Sequence, residues 1–127
     1  MNTSVKTFFD LNAWQEGRKL TKTVYEKTGH FPSDERFGLT SQMRRSSVSI
    51  IANIAEGFGR ISIKEKLNFY NQAHGSLTEL QSHTFIASDL EYLSKEDAGE
   101  LFLKMQNSQA LLHGLMRSTR KRLVNKE

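Results

Sequence analysis

Cysteine is absent from this 127-residue chain, and proline occurs once, at Pro32. A chain without cysteine forms no disulfide, no cysteine-ligated zinc site and no thiol nucleophile, and it suits a reducing compartment. The near absence of proline favours long, uninterrupted helices joined by short connections. We therefore expect a helical protein located in the cytoplasm.

Long apolar runs are missing as well. No stretch approaches the roughly 20 apolar residues needed to cross a bilayer, and the start MNTSVKTFFD lacks the basic-then-apolar order of a secretory signal. Hydrophobic residues make up 37% of the sequence, which is enough for one core in a chain of this length. These features predict a single domain over residues 1–127 with no membrane partner.

Charge is small in total and uneven along the chain. The formal net charge is +4, to which residues 1–60 contribute +3, residues 61–112 contribute −3 and residues 113–127 contribute +4. Segregated charge offers basic patches to an anionic partner, but a charged surface also serves solubility alone. The placement of the cations therefore matters more than their number.

Hydrophobic periodicity predicts four amphipathic helices, over about residues 10–28, 35–58, 62–92 and 95–123. Four such helices with short loops predict an all-α protein, namely an antiparallel, up-and-down four-helix bundle.

The helix starts carry capping signals. Asp10 is the expected N-cap of the first helix. Ser62 with Glu65, and Ser94 with Asp97, have the spacing of capping boxes, so these serines are expected to start the third and fourth helices.

The second helix is apolar on two sides. Its main face consists of Leu39, Met43, Ser46, Ser47, Ile50, Ile54 and Phe58. A neighbouring face adds Val48, Ile51 and Ala55, and a smaller stripe near the end of the third helix includes Ile86 and Leu90. Since each helix of a bundle has an outer side, surplus apolar residues favour contact with another subunit. We predict a homo-oligomer whose interface contains the residues of this neighbouring face and of the smaller stripe, namely Val48, Ile51, Ala55, Ile86 and Leu90.

The Gly57-x-Gly59-Arg60 sequence superficially resembles a phosphate loop. A phosphate loop needs a preceding strand and a following helix N-terminus, whereas an apolar helix precedes this one. We interpret both glycines as ending the second helix in a left-handed turn.

Catalytic and metal-binding patterns are weak. His74 and His83 fall on opposite sides of one predicted helix, and His30 and His113 have no ligand-spaced neighbour. The carboxylates are scattered, and the serines of the second helix have no histidine at i±3 or i±4. We expect no catalytic residue, no metal site and no cofactor.

Clustered cations remain as candidates for binding nucleic acid, because phosphate contacts need positive charge without fine stereochemistry. The candidates are Arg44, Arg45, Arg60, Lys64, Arg117, Arg120, Lys121 and Arg122. Structural ion pairing, for example with Glu56 across a subunit interface, is the competing interpretation for the arginines of the second helix. Basic residues near a helix C-terminus also favour the helix dipole.

Three stretches resemble a known family: DLNAWQEGRKLTKTVYEKT, FPSDERFGLTSQMRRSSVSIIANIAEGFGR and FYNQAHGSLTELQSHTFIASDLEYL. They are similar to small bacterial four-helix bundle proteins first noticed as products of intervening sequences within 23S ribosomal RNA genes. The same family includes the accessory variability determinant of diversity-generating retroelements. The similarity covers about residues 8–120, and its signature is Gly38-Leu39-Thr40-Ser41-Gln42, Arg44-Arg45 and Asn53-Ile54-Ala55-Glu56-Gly57.

The resemblance implies a ring-shaped homopentamer of antiparallel bundles, no known enzymatic activity and a role in binding RNA or DNA. For the retroelement branch it also implies association with a reverse transcriptase, but that branch is typically more basic than this chain. One departure is Ile51, where the family often has proline, so the second helix is expected to be straighter here or packed differently at the subunit boundary. The leading hypothesis is a non-enzymatic, nucleic-acid-binding oligomer, and the alternative is a protein-protein adaptor or assembly module.

Overall fold

The computed structural model describes residues 4–125, and within them all regular structure is helical. The four α-helices are α1 (Asn12–Thr28), α2 (Leu39–Phe58), α3 (Ile63–Asp89) and α4 (Lys95–Asn125). Two short 3-10 turns, Phe8–Asp10 and Ser33–Glu35, precede α1 and α2. The prediction of four helices and no strands is confirmed for this part of the chain.

The helix starts differ from the predictions in two places, for local reasons. Asp10 is not the N-cap of α1, because its carboxylate accepts the backbone N–H groups of Lys6 and Thr7, both at 3.0 Å, in the preceding turn. The second helix begins at Leu39 instead of residue 35. There the Glu35 carboxylate accepts the Leu39 N–H at 3.0 Å, so the predicted first residue caps the helix instead of extending it.

The serine caps of the last two helices are present. Ser62 Oγ accepts the backbone N–H of Glu65 at 3.0 Å, and Ser94 Oγ accepts that of Asp97 at 3.0 Å. The third helix ends at Asp89, earlier than predicted, and Glu91 adopts a φ of 62° in the connection that follows. The short α3–α4 connection therefore turns through a left-handed residue without glycine.

The predicted left-handed turn at the end of α2 is wrong. Gly59 has φ −76° and ψ −9°, which is right-handed, and Gly57 is a buried residue inside the helix. A Cβ at Gly57 would lie 2.7 Å from Cε1 of Tyr70, so this glycine allows α3 to approach. The ammonium of Lys66 on α3 donates a hydrogen bond to the carbonyl of Phe58 at 2.6 Å and so caps the C-terminus of α2.

The helices form a closed set of neighbours, in which α1 contacts α2 and α4, and α3 contacts α2 and α4. Between α1 and α2, Gly17 lies against Ile51, and Thr21 donates its hydroxyl to the carbonyl of Ser47 at 3.2 Å. Fully buried side chains from all four helices fill the centre; the largest are Tyr70, Leu20, Met43, Ile50, Ile54, Leu77, Leu80, Leu101, Met105 and Leu112. This arrangement is consistent with a four-helix bundle. Among the described helices, none has a stretch sufficiently long and apolar to span a membrane.

Candidate nucleic-acid surface

The most extended group of available cations lies on α4. Arg117, Arg120, Lys121 and Arg122 are all exposed, and none forms an ion pair with a carboxylate of residues 4–122. The sequence explains this, because no Asp or Glu occurs between residues 101 and 126. Salt bridges along a helix need an acid three or four residues away, and here there is none.

The two arginines of α2 differ from each other. Arg44 is half-buried: its Nε donates to Thr28 Oγ1 at 2.9 Å, and its guanidinium lies 4.7 Å from the ring centroid of Tyr25. It also donates to the carbonyl of Tyr25 at 3.4 Å, so it neutralises the C-terminal end of α1. Arg45 is exposed and has no ion pair or hydrogen bond to a described side chain. The predicted pair thus has one structural and one available member.

Arg45 borders an open groove of about 600 Å³ between α1 and the start of α2. Two aromatic residues line it, Tyr25 and Phe37, and Phe37 is 87% exposed with Arg36 stacked 5.4 Å from its ring centroid. We refer to this feature as the α1–α2 groove. Arg36 and Phe37 were not among the residues predicted from sequence, although an aromatic beside an arginine in a loop is a recognisable signal for base stacking.

Arg60 is engaged within the fold. Its guanidinium contacts the carboxylates of Glu56 at 3.1 Å and Glu65 at 3.7 Å, and it lies 4.6 Å from the ring centroid of Phe69. The carboxylate considered as a partner for Arg45 is therefore paired with Arg60, which lies just after α2. The charges of these two carboxylates offset the positive potential that Arg60 would present to a phosphate.

Two lysines follow Arg60. Lys64 is exposed and has no ion pair within residues 4–122. Lys66 is committed to the Phe58 carbonyl, and burial, with a smaller effect of the nearby Arg122 charge, lowers the pKa of its ammonium. Burial also raises the pKa of Tyr70 beside it. Arg122 thus reaches the end of the bundle where α2 meets α3.

The predicted interface residues fall into two groups. Val48, Ile86 and Leu90 are 41%, 48% and 50% exposed, which is high for apolar side chains. Ile51 and Ala55 are half-buried, and Ile51 contacts Gly17 of α1, so α1 accounts for part of its apolar character. A proline at position 51 would remove a backbone donor from the middle of α2.

Two histidines lie together in a way that the sequence did not reveal. The rings of His74 on α3 and His113 on α4 stack with centroids 5.1 Å apart and planes 27° apart. Helical wheels place each histidine on its own helix but do not give the register between helices. Within the described residues, no group of three His, Asp or Glu side chains is arranged to hold a metal ion.

Comparison with known proteins gives a family and a fold. A family model described as 23S rRNA-intervening sequence protein matches residues 9–114. No curated protein matches the chain. Among solved structures, this chain resembles a crystal structure of a protein with unknown function from the S23 ribosomal protein family of Bacteroides thetaiotaomicron. That likeness has a TM-score of 0.73 at 20% identity and covers 82% of this chain and 97% of the other. At this identity it concerns the fold alone.

Proposed function

This chain belongs to the 23S rRNA-intervening sequence protein family, and we propose that it is a non-enzymatic, homo-oligomeric bundle that binds nucleic acid through exposed cations. The cysteine-free sequence suits a cytoplasmic location for this role. The principal contact would be to the sugar-phosphate backbone, through arginines and lysines that the fold itself does not use.

The observation that carries the proposal is the cationic surface of α4. Arg117, Arg120, Lys121 and Arg122 are exposed along a segment without carboxylates, so their charge is not cancelled by neighbours on the same helix. Unpaired cations release the counterions condensed on nucleic acid when they bind, which is the main source of affinity for phosphates. Arg45 and Lys64 are further candidates, whereas Arg44 and Arg60 already bind groups of the fold.

Assembly would multiply this surface. The order of contacts between α1 and α2 supports an antiparallel arrangement, since Gly17 meets Ile51 while Thr28 meets Arg44. Exposed apolar residues occur on α2 at Val48, on α3 at Ile86 and directly after α3 at Leu90. Contact between two different surfaces of neighbouring subunits can close a ring, and we propose a ring, with a pentamer as the expected size. A ring repeats each cationic surface and raises its avidity.

The first experiment measures binding of structured RNA and duplex DNA by fluorescence anisotropy at several salt concentrations. Replacing all four cations, in the variant Arg117→Gln/Arg120→Gln/Lys121→Gln/Arg122→Gln, should weaken binding at least about tenfold and flatten the salt dependence, because fewer counterions are released. The matched control Lys6→Gln/Lys19→Gln/Lys22→Gln/Lys95→Gln loses the same charge from other exposed positions. Equal effects in both variants, or no binding by the wild-type protein at about 50 mM salt, would contradict the proposal.

The assembly has a separate experiment. Light scattering at micromolar concentration should give several times the monomer mass, and Val48→Glu/Ile86→Glu should reduce it, because buried unpaired carboxylates are costly. The variant Lys19→Glu/Lys22→Glu, which changes two exposed lysines of α1, is the control. A monomeric wild-type protein would remove the ring from the proposal.

Exposed apolar side chains also favour a second candidate, a protein-protein adaptor or assembly module, with a reverse transcriptase as the candidate partner. Its supporting observation is the α1–α2 groove, where Phe37 is 87% exposed. Copurification of one identified protein after nuclease treatment, and its loss in Phe37→Ser, would favour this candidate. Loss of that protein on nuclease treatment would instead favour nucleic acid as the bridge.

A further inference from the structure

A small cavity between α3 and α4 contains the stacked histidines and two of the α4 arginines. Its volume is about 300 Å³, at the lower end of the range for ligand pockets. Its lining residues are Asn71, His74, His113, Met116, Arg117 and Arg120. We refer to it as the histidine-arginine pocket. Apart from Met116, every lining side chain carries polar nitrogen.

The polar side chains of this pocket have no partners in the described part of the fold. Within residues 4–122, no hydrogen bond or ion pair engages the side chains of Asn71, His74, His113, Arg117 or Arg120. Their donors are therefore directed to solvent or to a ligand. Half-burial of His74 and His113 shows that these rings are partly shielded from water, so a ligand with several acceptor atoms would gain from meeting them.

The surroundings of the pocket disfavour a cationic ligand, because they lack carboxylates. The lining contains no carboxylate. No Asp or Glu occurs in residues 66–78 of α3 or in residues 101–125 of α4, and these two segments contain the pocket residues. The guanidinium of Arg117 extends along α4, with one nitrogen 3.8 Å from where a Cβ of Gly114 would lie. Asp10 and Arg117 both line a second cavity, but no ion pair joins them.

We propose that the histidine-arginine pocket binds a phosphate group. Two guanidinium groups supply positive charge and fixed pairs of N–H donors, and the imidazole and amide nitrogens add further donors around the same cavity. A metal ion is disfavoured by the two arginines, and an apolar ligand would leave the polar nitrogens unpaired. This inference rests on the proposed function for the source of the phosphate, which is the nucleic-acid backbone; a free phosphate compound shares the same chemistry.

The four histidines provide a local readout, because each has its own proton-carbon signals in NMR spectra. Inorganic phosphate is titrated at constant pH, with chloride used to hold the ionic strength constant. The signals of His74 and His113 should shift and saturate, whereas those of His30, in the α1–α2 connection, and His83, beside Glu79, should not. Equal movement of all four histidines, or no movement of His74 and His113, would overturn the pocket.

Charge variants then separate the pocket from the general charge of α4. Arg120→Gln should weaken phosphate binding about tenfold, since it removes a charge-assisted contact. Lys121→Gln removes the same charge from the neighbouring residue, which does not line the pocket, and should leave the histidine shifts unchanged. Equal loss in the two variants would show a diffuse field and would overturn a defined site.

A single-stranded RNA arm identifies the source of the phosphate. If the nucleic-acid backbone occupies the pocket, RNA should shift His74 and His113, and Arg120→Gln should lose more RNA affinity than Lys121→Gln. Saturable phosphate binding without any RNA binding would contradict the proposed function while supporting a pocket for a free phosphate compound. RNA binding without movement of His74 and His113 would leave the proposed function intact and overturn the pocket as a site for the RNA backbone.

Discussion

At the turn between α2 and α3, Arg60 lies between two carboxylates and against an aromatic ring, whereas along the second half of α4 the arginines form no ion pair with a carboxylate of residues 4–122. Both regions are basic clusters in the sequence. In the first, Glu56 precedes Arg60 by four residues, so the helix itself supplies a partner. In the second, the nearest acid before Arg117 is Glu100, far outside that spacing.

The comparison shows that cations of a basic cluster stay free of ion pairs where acids are absent at helical spacing. The turn also contains a tight helix crossing, because Gly57 meets Tyr70, and a lysine committed to a carbonyl. Its cations therefore stabilise a crossing between helices. The side chains of the α4 cations form no ion pair or hydrogen bond within residues 4–122, which leaves them available to a partner.

The largest effect is expected from overfilling the crossing at the turn. Gly57→Ala would bring a methyl group to 2.7 Å from a ring carbon of buried Tyr70 and to 3.0 Å from Cβ of Phe69. We expect a loss of about 1–3 kcal/mol in the free energy of unfolding, measured by urea denaturation, because overpacking outweighs the better helix propensity of alanine.

A matched control exists on α4, where an added Cβ at Gly99 meets nothing within 4 Å. Gly99→Ala should raise the free energy of unfolding by about 0.5–1 kcal/mol, since only helix propensity changes. Equal stabilisation in both variants would show that the α2–α3 crossing tolerates a side chain, and would remove close approach as the reason for Gly57.

The next largest effects are expected from two arginine variants, one at the turn and one on α4, which should differ in stability and in RNA affinity. Arg60→Gln should cost about 1 kcal/mol in stability, because the cation–π contact and both carboxylate contacts are lost, while RNA affinity changes little. Arg120→Gln should leave stability within about 0.5 kcal/mol of the wild type and reduce RNA affinity.

Thermal unfolding and anisotropy on the same two variants check this crossed pattern. Glu56→Gln serves as the control for the turn, since it removes one partner of Arg60 without removing a cation. If Arg60→Gln weakens RNA binding more than Arg120→Gln does, the paired cation is the functional one and the comparison between the two regions fails.

Much of the fold was accessible from sequence because it depends on short-range patterns. The four apolar stripes and the serine caps depend on spacing within one helix, and both were predicted. The errors also have local causes. Asp10 and Glu35 accept backbone N–H groups that the wheel does not include, and Gly57 reflects contact with a residue thirteen positions away.

The candidate site was harder to predict from the sequence, because it depends on how the helices are placed against one another. The engagement of Arg44 with Tyr25 and Thr28 requires the register of α2 against α1. The stack of His74 on His113 likewise requires the register of α3 against α4. The sequence alone could have predicted that the α4 cations have no partner on their own helix, because residues 101–126 contain no Asp or Glu.

The smallest effect concerns Lys27 of α1, a paired cation away from the turn between α2 and α3, whose ammonium contacts the carboxylates of Asp97 at 2.9 Å and Glu100 at 3.2 Å. The hydrogen bond from Lys27 lowers the pKa of Asp97, and the bonds to Asp97 and Glu100 raise the pKa of Lys27. A lowered carboxyl pKa stabilises the fold above the ordinary value near 4, and this contribution disappears as the pH falls through the lowered value. The raised pKa of Lys27 also stabilises the fold, and that contribution disappears only as the pH rises through the raised value, so it does not change in the acidic range.

The midpoint temperature of Asp97→Asn should therefore lie slightly below that of the wild type at pH 7, and the two should converge at acidic pH. Arg120→Gln, which removes a cation without an ion pair among the described residues, should show no such convergence, and a gap between Asp97→Asn and wild type that persists at pH 2 would assign the effect to the helix cap instead of the ion pair.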